Sequence, residues 1–168
     1  MYYRIDKDAL YALVDAEVSR AADEAYAEDG TSLYDTIVLT EKDADMVEGF
    51  LADAISAFVK ATSDISSYKK LQAAEAAKNA GYDIADHFGE GSGATTTVHV
   101  LDINVPDMDT AQQYAAMEQI NRFVVLYACS ALFQQRRSIL VPEYSGRAQG
   151  ALDNAIAVLR KRNAPSRT

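Results

Sequence analysis

Apolar residues recur at helical spacing over most of the chain and at strand spacing over one stretch. Met46, Val47, Phe50, Leu51, Ala54, Ile55, Phe58 and Val59 form the cleanest amphipathic stripe, falling at i, i+3 and i+4 intervals. Thr40 stands before it with Asp43 three residues on, a capping-box spacing, so a helix is predicted at about 41–62. Leu10, Leu13, Val14, Val18, Ala21, Ala22 and Ala25 keep to one face of an earlier helix, at about 7–28. Asp6 or Asp8 can cap its start, and Glu28, Asp29 and Gly30 mark its stop. Residues 31–39 connect the two helices, with room for a short extended piece at 36–39. Tyr68, Leu71, Ala74 and Ala77 suggest a third, alanine-rich helix at about 66–80, stopped by Gly81.

Thr110 with Gln113 opens a fourth helix, to about residue 137. From Phe123 to Phe133 only Ser130 interrupts an apolar run, so this helix is apolar nearly all round and must be packed on every side. A fifth, at about 145–162, places Ala148, Leu152, Ala155, Ile156 and Leu159 on one face. The pattern changes at TTTVHVLDINV, residues 95–105, where β-branched residues alternate with polar ones. The alternation switches parity between Val100 and Leu101, which means either a bulge near 100–101 or burial of both faces. Half of the chain's eight glycines fall in residues 81–94, and Pro106 closes the stretch. The fold class is therefore mainly α, a single helical domain over 1–168. It is a bundle of about five helices with one β-segment at about 95–105, forming an arm or a short hairpin.

A lone strand leaves its backbone ladder unpaired. Partners of comparable character within the chain are short: YYRI at 2–5, TIVL at 36–39 and SILV at 138–141. The sharper expectation is an arm at 89–106, swung on a Gly89, Gly91 and Gly93 hinge, that pairs with another subunit by strand addition. Its contact residues would be Thr97, Val98, His99, Val100, Leu101, Ile103 and Val105. The competing expectation is a hairpin with 36–39 or 138–141.

Candidate chemistry is sparse. His87 with Asp83 has i, i+4 spacing but lies in a glycine-bounded stretch, and three or four convergent metal ligands are not in sight. Gly89, Gly91 and Gly93 precede a strand, whereas a phosphate loop follows one. Cys129 sits mid-helix among apolar residues with no histidine near it, the setting of an inert core thiol. No nucleophile motif appears, so neither enzyme activity nor a cofactor is expected. No apolar run approaches the roughly 20 residues of a membrane span, and no leader is visible behind MYYRIDKDAL, so a soluble protein is expected.

Charge adds a polarity. The net charge is −9, yet residues 1–135 carry 9 Lys and Arg against 23 Asp and Glu, while residues 136–168 carry 7 against 2. The acidic bulk argues against general nucleic-acid binding, and no sequence-specific nucleic-acid partner is expected. The basic end, with Arg160, Lys161, Arg162 and Arg167, either matches a helix C-terminus or meets an acidic surface of a neighbouring copy.

Two stretches carry a resemblance: SLYDTIVLTEKDADMVEGFLADAISAF (32–58) and INRFVVLYACSALFQQRRSILVPEYSGRAQGALDNAIAVLRKRNAPSR (120–167). In them the chain resembles small virion proteins from phages and prophages of gut anaerobic bacteria, of the neck, head–tail connector or tail-completion kind. The shared marks are Tyr144 with Ala148 on the last helix and Arg162 with Pro165 near the end; the tryptophan common on the long helix of that group is absent here. The resemblance implies a structural assembly subunit, without enzyme activity, forming a ring with other copies and touching portal or tail components in a virion assembled in the bacterial cytoplasm. The alternative from the residues alone is a cytoplasmic helical interaction or regulatory module that binds one basic protein partner.

Overall fold

The computed structural model describes residues 2–72, 75, 97–105 and 108–161. The fold is mainly helical, with a small three-stranded antiparallel sheet. Contacts group the chain into two compact units, one of Met1–Asp6, Val59–Gln119 and Asp153–Thr168, the other of Lys7–Phe58 and Ile120–Leu152.

The second unit begins with helix α1 (Lys7–Asp23), which buries Leu10, Val14, Val18, Ala21 and Ala22. Leu13, assigned to the same stripe in the sequence, stays 48% exposed. The helix stops five residues before the predicted end. Ala25 N donates to Ala22 O, and a Tyr26–Ser32 bridge turns the chain back on itself. Gly30, at φ +82°, supplies the left-handed residue of that turn, and the Asp29 carboxylate accepts the Thr31 N–H at 2.9 Å. Residues 36–39 are not extended: Tyr34–Ile37 is one helical turn, with Ile37 buried. The capping box forms as its residues require, Thr40 N donating to Asp43 Oδ2 at 2.7 Å. A 3-10 turn (Glu41–Asp43) then leads into helix α2 (Ala44–Ala61), whose buried face is Val47, Leu51, Ala54, Ile55 and Phe58.

Helix α3 (Thr110–Arg136) buries Phe123, Val124, Val125, Leu126, Ala128, Cys129, Leu132 and Phe133, the wrap that its apolar middle demands. Its cap lies one residue earlier than the Thr110–Gln113 pair. Asp109 Oδ1 accepts the Gln112 N–H at 2.8 Å, and Gln112 Oε1 accepts the Asp109 N–H at 3.3 Å. Residues 138–141 are not a strand either. Ser138–Leu140 is a 3-10 turn joining α3 to helix α4 (Val141–Arg160). Phe58 and Phe123 meet at 6.3 Å between ring centroids, and Phe133 meets Tyr144 edge-on at 4.7 Å.

The first unit holds the sheet. Strands β1 (Tyr2–Arg4), β2 (Ser66–Gln72) and β3 (Thr97–Ile103) lie in the order β1-β3-β2. β2 overturns the predicted third helix over 66–72. Tyr68 and Leu71 were read at helical spacing, but cross-strand pairing with β3 decides the conformation there; Ala74 and Ala77, the other half of that stripe, lie outside the described residues. With β2 present, β3 has both edges filled by its own chain, Tyr3↔Leu101 on one side and Tyr68↔Leu101 on the other. An arm donated to another chain, and a hairpin with 36–39 or 138–141, are both replaced by this sheet. The missing partner sat in a segment that looked helical, and YYRI supplied the second. The parity switch is also resolved. Register passes through Lys69↔Val100 and Tyr68↔Leu101 without interruption, so no bulge exists, and Val100 and Leu101 are both buried, on opposite faces. The hinge glycines Gly89, Gly91 and Gly93 lie outside the described residues.

Candidate functional site

The residues assigned to a subunit arm are committed to their own unit. Val100, Leu101 and Ile103 are buried core, and His99 Nδ1 is in hydrogen-bond contact with the Tyr68 hydroxyl, the rings 5.7 Å apart. Val105 follows the strand and is half-buried; of Thr97 and Val98 the backbone belongs to β3. The basic end divides. Arg160 Nη2 reaches both oxygens of Asp64 at 3.3 Å. Lys161 is exposed and has no ion-pair partner among the described residues, while Arg162 and Arg167 lie outside them.

Three of the seven basic residues after position 135 meet acidic residues of the N-terminal part within the chain: Arg136 with Asp43, Arg147 with Glu17, and Arg160 with Asp64. The charge polarity read from the sequence is thus spent partly inside one molecule. The densest of these contacts surrounds Tyr144, which is 2% exposed. Its hydroxyl donates to Glu17 Oε2 at 3.3 Å, Arg20 donates to the same oxygen at 2.8 Å, and Arg147 stacks over the Tyr144 ring at 4.8 Å. Only Glu17 with Arg20, at i, i+3, was legible as a pair beforehand. Tyr144 and Arg147 come from a helix more than a hundred residues away, and nothing in local spacing marks them.

The electrostatics of this cluster hold protons where they are. Burial pushes the Glu17 carboxyl up, but the Arg20 hydrogen bond, the Arg20 and Arg147 charges and the Tyr144 hydroxyl outweigh it and leave the group below its usual range. Burial first, then the Glu17 charge, raise the Tyr144 phenol. Cys129 is pushed up to about 12, mainly by burial. Neither a general base near neutrality nor a thiolate nucleophile results from this arrangement. Cys129 in the native chain should therefore resist a soluble thiol reagent at pH 8 over hours and react within minutes once unfolded in guanidinium. Prompt labelling of the native protein would contradict the buried assignment. Among the described residues no group of three or more His, Cys, Asp or Glu is placed to hold a metal ion, and no helix is long and apolar enough to cross a membrane.

No protein-family model, curated protein or solved structure matches the chain.

The second unit also carries surface relief. A groove of about 390 Å³ opens between its parts of α2, α3 and α4, lined by Ala57, the buried Phe123 and Ala148, and Tyr127, Ala131, Gln134 and Leu152. Every residue that lines it is uncharged. Alanine at 131 and 148 leaves space between the helices there, and Gln134 and Gln149 bring uncharged amides to the lining. The geometry suits contact with another polypeptide better than capture of a charged metabolite.

Proposed function

We propose that this chain is a structural assembly protein of a phage particle, a neck or head–tail connector subunit that works through protein–protein contacts and catalyses nothing. One observation carries the reading. The first stretch with the resemblance, 32–58, and the larger part of the second, 120–152, are far apart in sequence yet belong to the compact unit of Lys7–Phe58 and Ile120–Leu152, while 153–167 falls in the other unit. The protonation states locked around Glu17, Tyr144 and Cys129 support the non-enzymatic part of the proposal.

The test is particle composition. In a lysogen or lysate that expresses the chain, purified virions should contain it at a few to a dozen copies per particle by quantitative mass spectrometry. Tailless heads from a deletion strain should accumulate. Normal infectious particles from the deletion strain would sink the proposal. The second reading, a cytoplasmic module for a basic partner, is favoured by one feature: residues 7–58 carry 3 Lys and Arg against 13 Asp and Glu. It expects the chain to be absent from virions and to come out of the cytoplasm bound to a single basic protein.

A further inference from the structure

Another recess of the unit made of Lys7–Phe58 and Ile120–Leu152 opens between the starts of α1 and α2. Its volume is about 320 Å³, and it is lined by Lys7, Asp8 and Tyr11 from α1 and by Ala44, Glu48 and Leu51 from α2. Spacing accounts for this set. Asp8 and Tyr11 stand at i, i+3, and Ala44, Glu48 and Leu51 at i, i+4, i+7, so each group keeps to one face of its helix. Leu51, 1% exposed, and the half-buried Tyr11 give the recess its apolar lining. Ala44 is exposed and too short to fill the space beside them. From Ala44 to Leu51 is two turns of helix, about 10 Å.

The charge around this apolar strip has one sign. Lys7, the cation of the lining, pairs with Glu48, so those two charges cancel. Asp8 remains in the lining. Asp15 follows Tyr11 at i+4 and Asp45 precedes Glu48 at i−3, so both extend the same helix faces. Among the described residues Asp8, Asp15 and Asp45 form no ion pair. An apolar strip edged by carboxylates has a definite complement: large apolar side chains flanked by lysine or arginine.

We propose that this recess docks a basic amphipathic helix of another protein. The apolar side chains of that helix enter between α1 and α2, and its lysines or arginines face Asp8, Asp15 and Asp45. The inference does not rest on the virion reading; within the second reading it names the surface that holds the basic partner. Charge also argues against a second copy of this face as the occupant. Residues 7–58 carry 3 Lys and Arg against 13 Asp and Glu, so two such surfaces repel each other. A helix suits a furrow between two helices, because its anchors at i, i+3, i+4 and i+7 span about 10 Å, the length from Ala44 to Leu51.

The probe is a synthetic peptide of about 14 residues, with leucine at i, i+3, i+4 and i+7 and lysine elsewhere, one leucine being replaced by tryptophan. The chain contains no tryptophan, so indole emission reports the peptide alone. Titration with the intact chain should shift that emission to the blue and saturate with a Kd of about 10–100 μM. Raising salt from about 0.1 M to about 1 M should weaken binding about tenfold, as the screening length falls from about 10 Å to about 3 Å. A scrambled peptide of the same composition should bind at least about tenfold more weakly, because its leucines no longer share a face. Ala44→Arg places a long side chain of the wrong charge in the recess at an exposed position. It should abolish the blue shift and leave the melting temperature unchanged. The double variant Asp8→Asn with Asp45→Asn keeps the shape and should remove most of the salt dependence, which decides the matter even where Ala44→Arg folds poorly. Equal binding of the scrambled peptide, a blue shift that survives Ala44→Arg, or a salt dependence untouched in the double variant overturns the proposal. So does a chain that dimerises on its own in sedimentation velocity and loses the dimer in Ala44→Arg, since the recess then belongs to another copy.

Discussion

Replacing Arg136 by alanine is expected to lower the unfolding free energy by about 3 kcal/mol. The guanidinium sits on the last turn of α3 and is mostly shielded from water. It donates Nη1 to Ile37 O at 3.1 Å and Val38 O at 2.7 Å, and pairs through Nη2 with the Asp43 carboxylate. Alanine leaves a part-buried carboxylate and two carbonyls without that donor, which is costlier than the pair is worth intact. Arg136→Lys should recover only part of the loss, because one ammonium cannot reproduce the fork that spans three acceptors. Acid sensitivity identifies the contact. The Arg136 hydrogen bond, then the Thr40 N–H, hold Asp43 down at about 2, below its ordinary 3.8. A folded-state value below the unfolded one gives stability that is complete above about pH 4 and lost as pH falls toward 2. The urea midpoint of the native chain should therefore drop between pH 4 and pH 2 by more than that of Arg136→Ala. Parallel curves for the two proteins would mean that the pair contributes nothing.

Phe133→Ala should cost about as much, roughly 3–5 kcal/mol, for an unrelated reason. Its side chain has no exposed surface and meets Tyr144 edge-on at 4.7 Å. Truncation removes the apolar area and leaves a cavity in a face that also carries the fully buried Leu132 and Cys129. Phe133→Leu keeps most of the volume and should lose only about 1–2 kcal/mol. Unlike the Arg136 effect, this one should not change as pH falls from 4 to 2. Domains of this size have about 5–15 kcal/mol in all, so the double variant Phe133→Ala with Arg136→Ala should be largely unfolded at 25 °C by near-ultraviolet circular dichroism. A cooperative melt of the double variant above 50 °C would show that both costs are overstated.

The helices were legible because their signal is local. Thr40, Asp43 and the stripe from Val47 to Phe58 lie within one window, and burial in the structure follows that stripe. The long helix was legible for the opposite reason: an apolar run with no polar face allows only a central position. The sheet was half legible. The residues of β3 were marked by β-branching and by their parity switch, and that switch did report burial on both faces. β2 was missed because SSYKKLQ has a polar composition that fits either state, and only its pairing with β3 selects one. The site was the least legible part. Glu17, Tyr144 and Arg147 are brought together by tertiary packing, so no spacing rule reaches them. The sequence polarity between acidic and basic ends was real, but Asp43, Glu17 and Asp64 show that much of it closes within the chain.

The sheet order also sets a timetable for synthesis. β1 is made before the other described strands and among them pairs with β3, whose residues begin about a hundred positions later. At 5–20 residues per second that is a wait of roughly 5–20 s. During it the backbone of residues 2–5 lacks its ladder with β3. β2 arrives sooner, yet the native order never lets β1 touch it, so any early pairing of the two must be undone before β3 can enter between them. Closing a loop of that length is also the entropically expensive step of the sheet. Newly made chains should therefore depend on whatever shelters β1 until β3 has emerged.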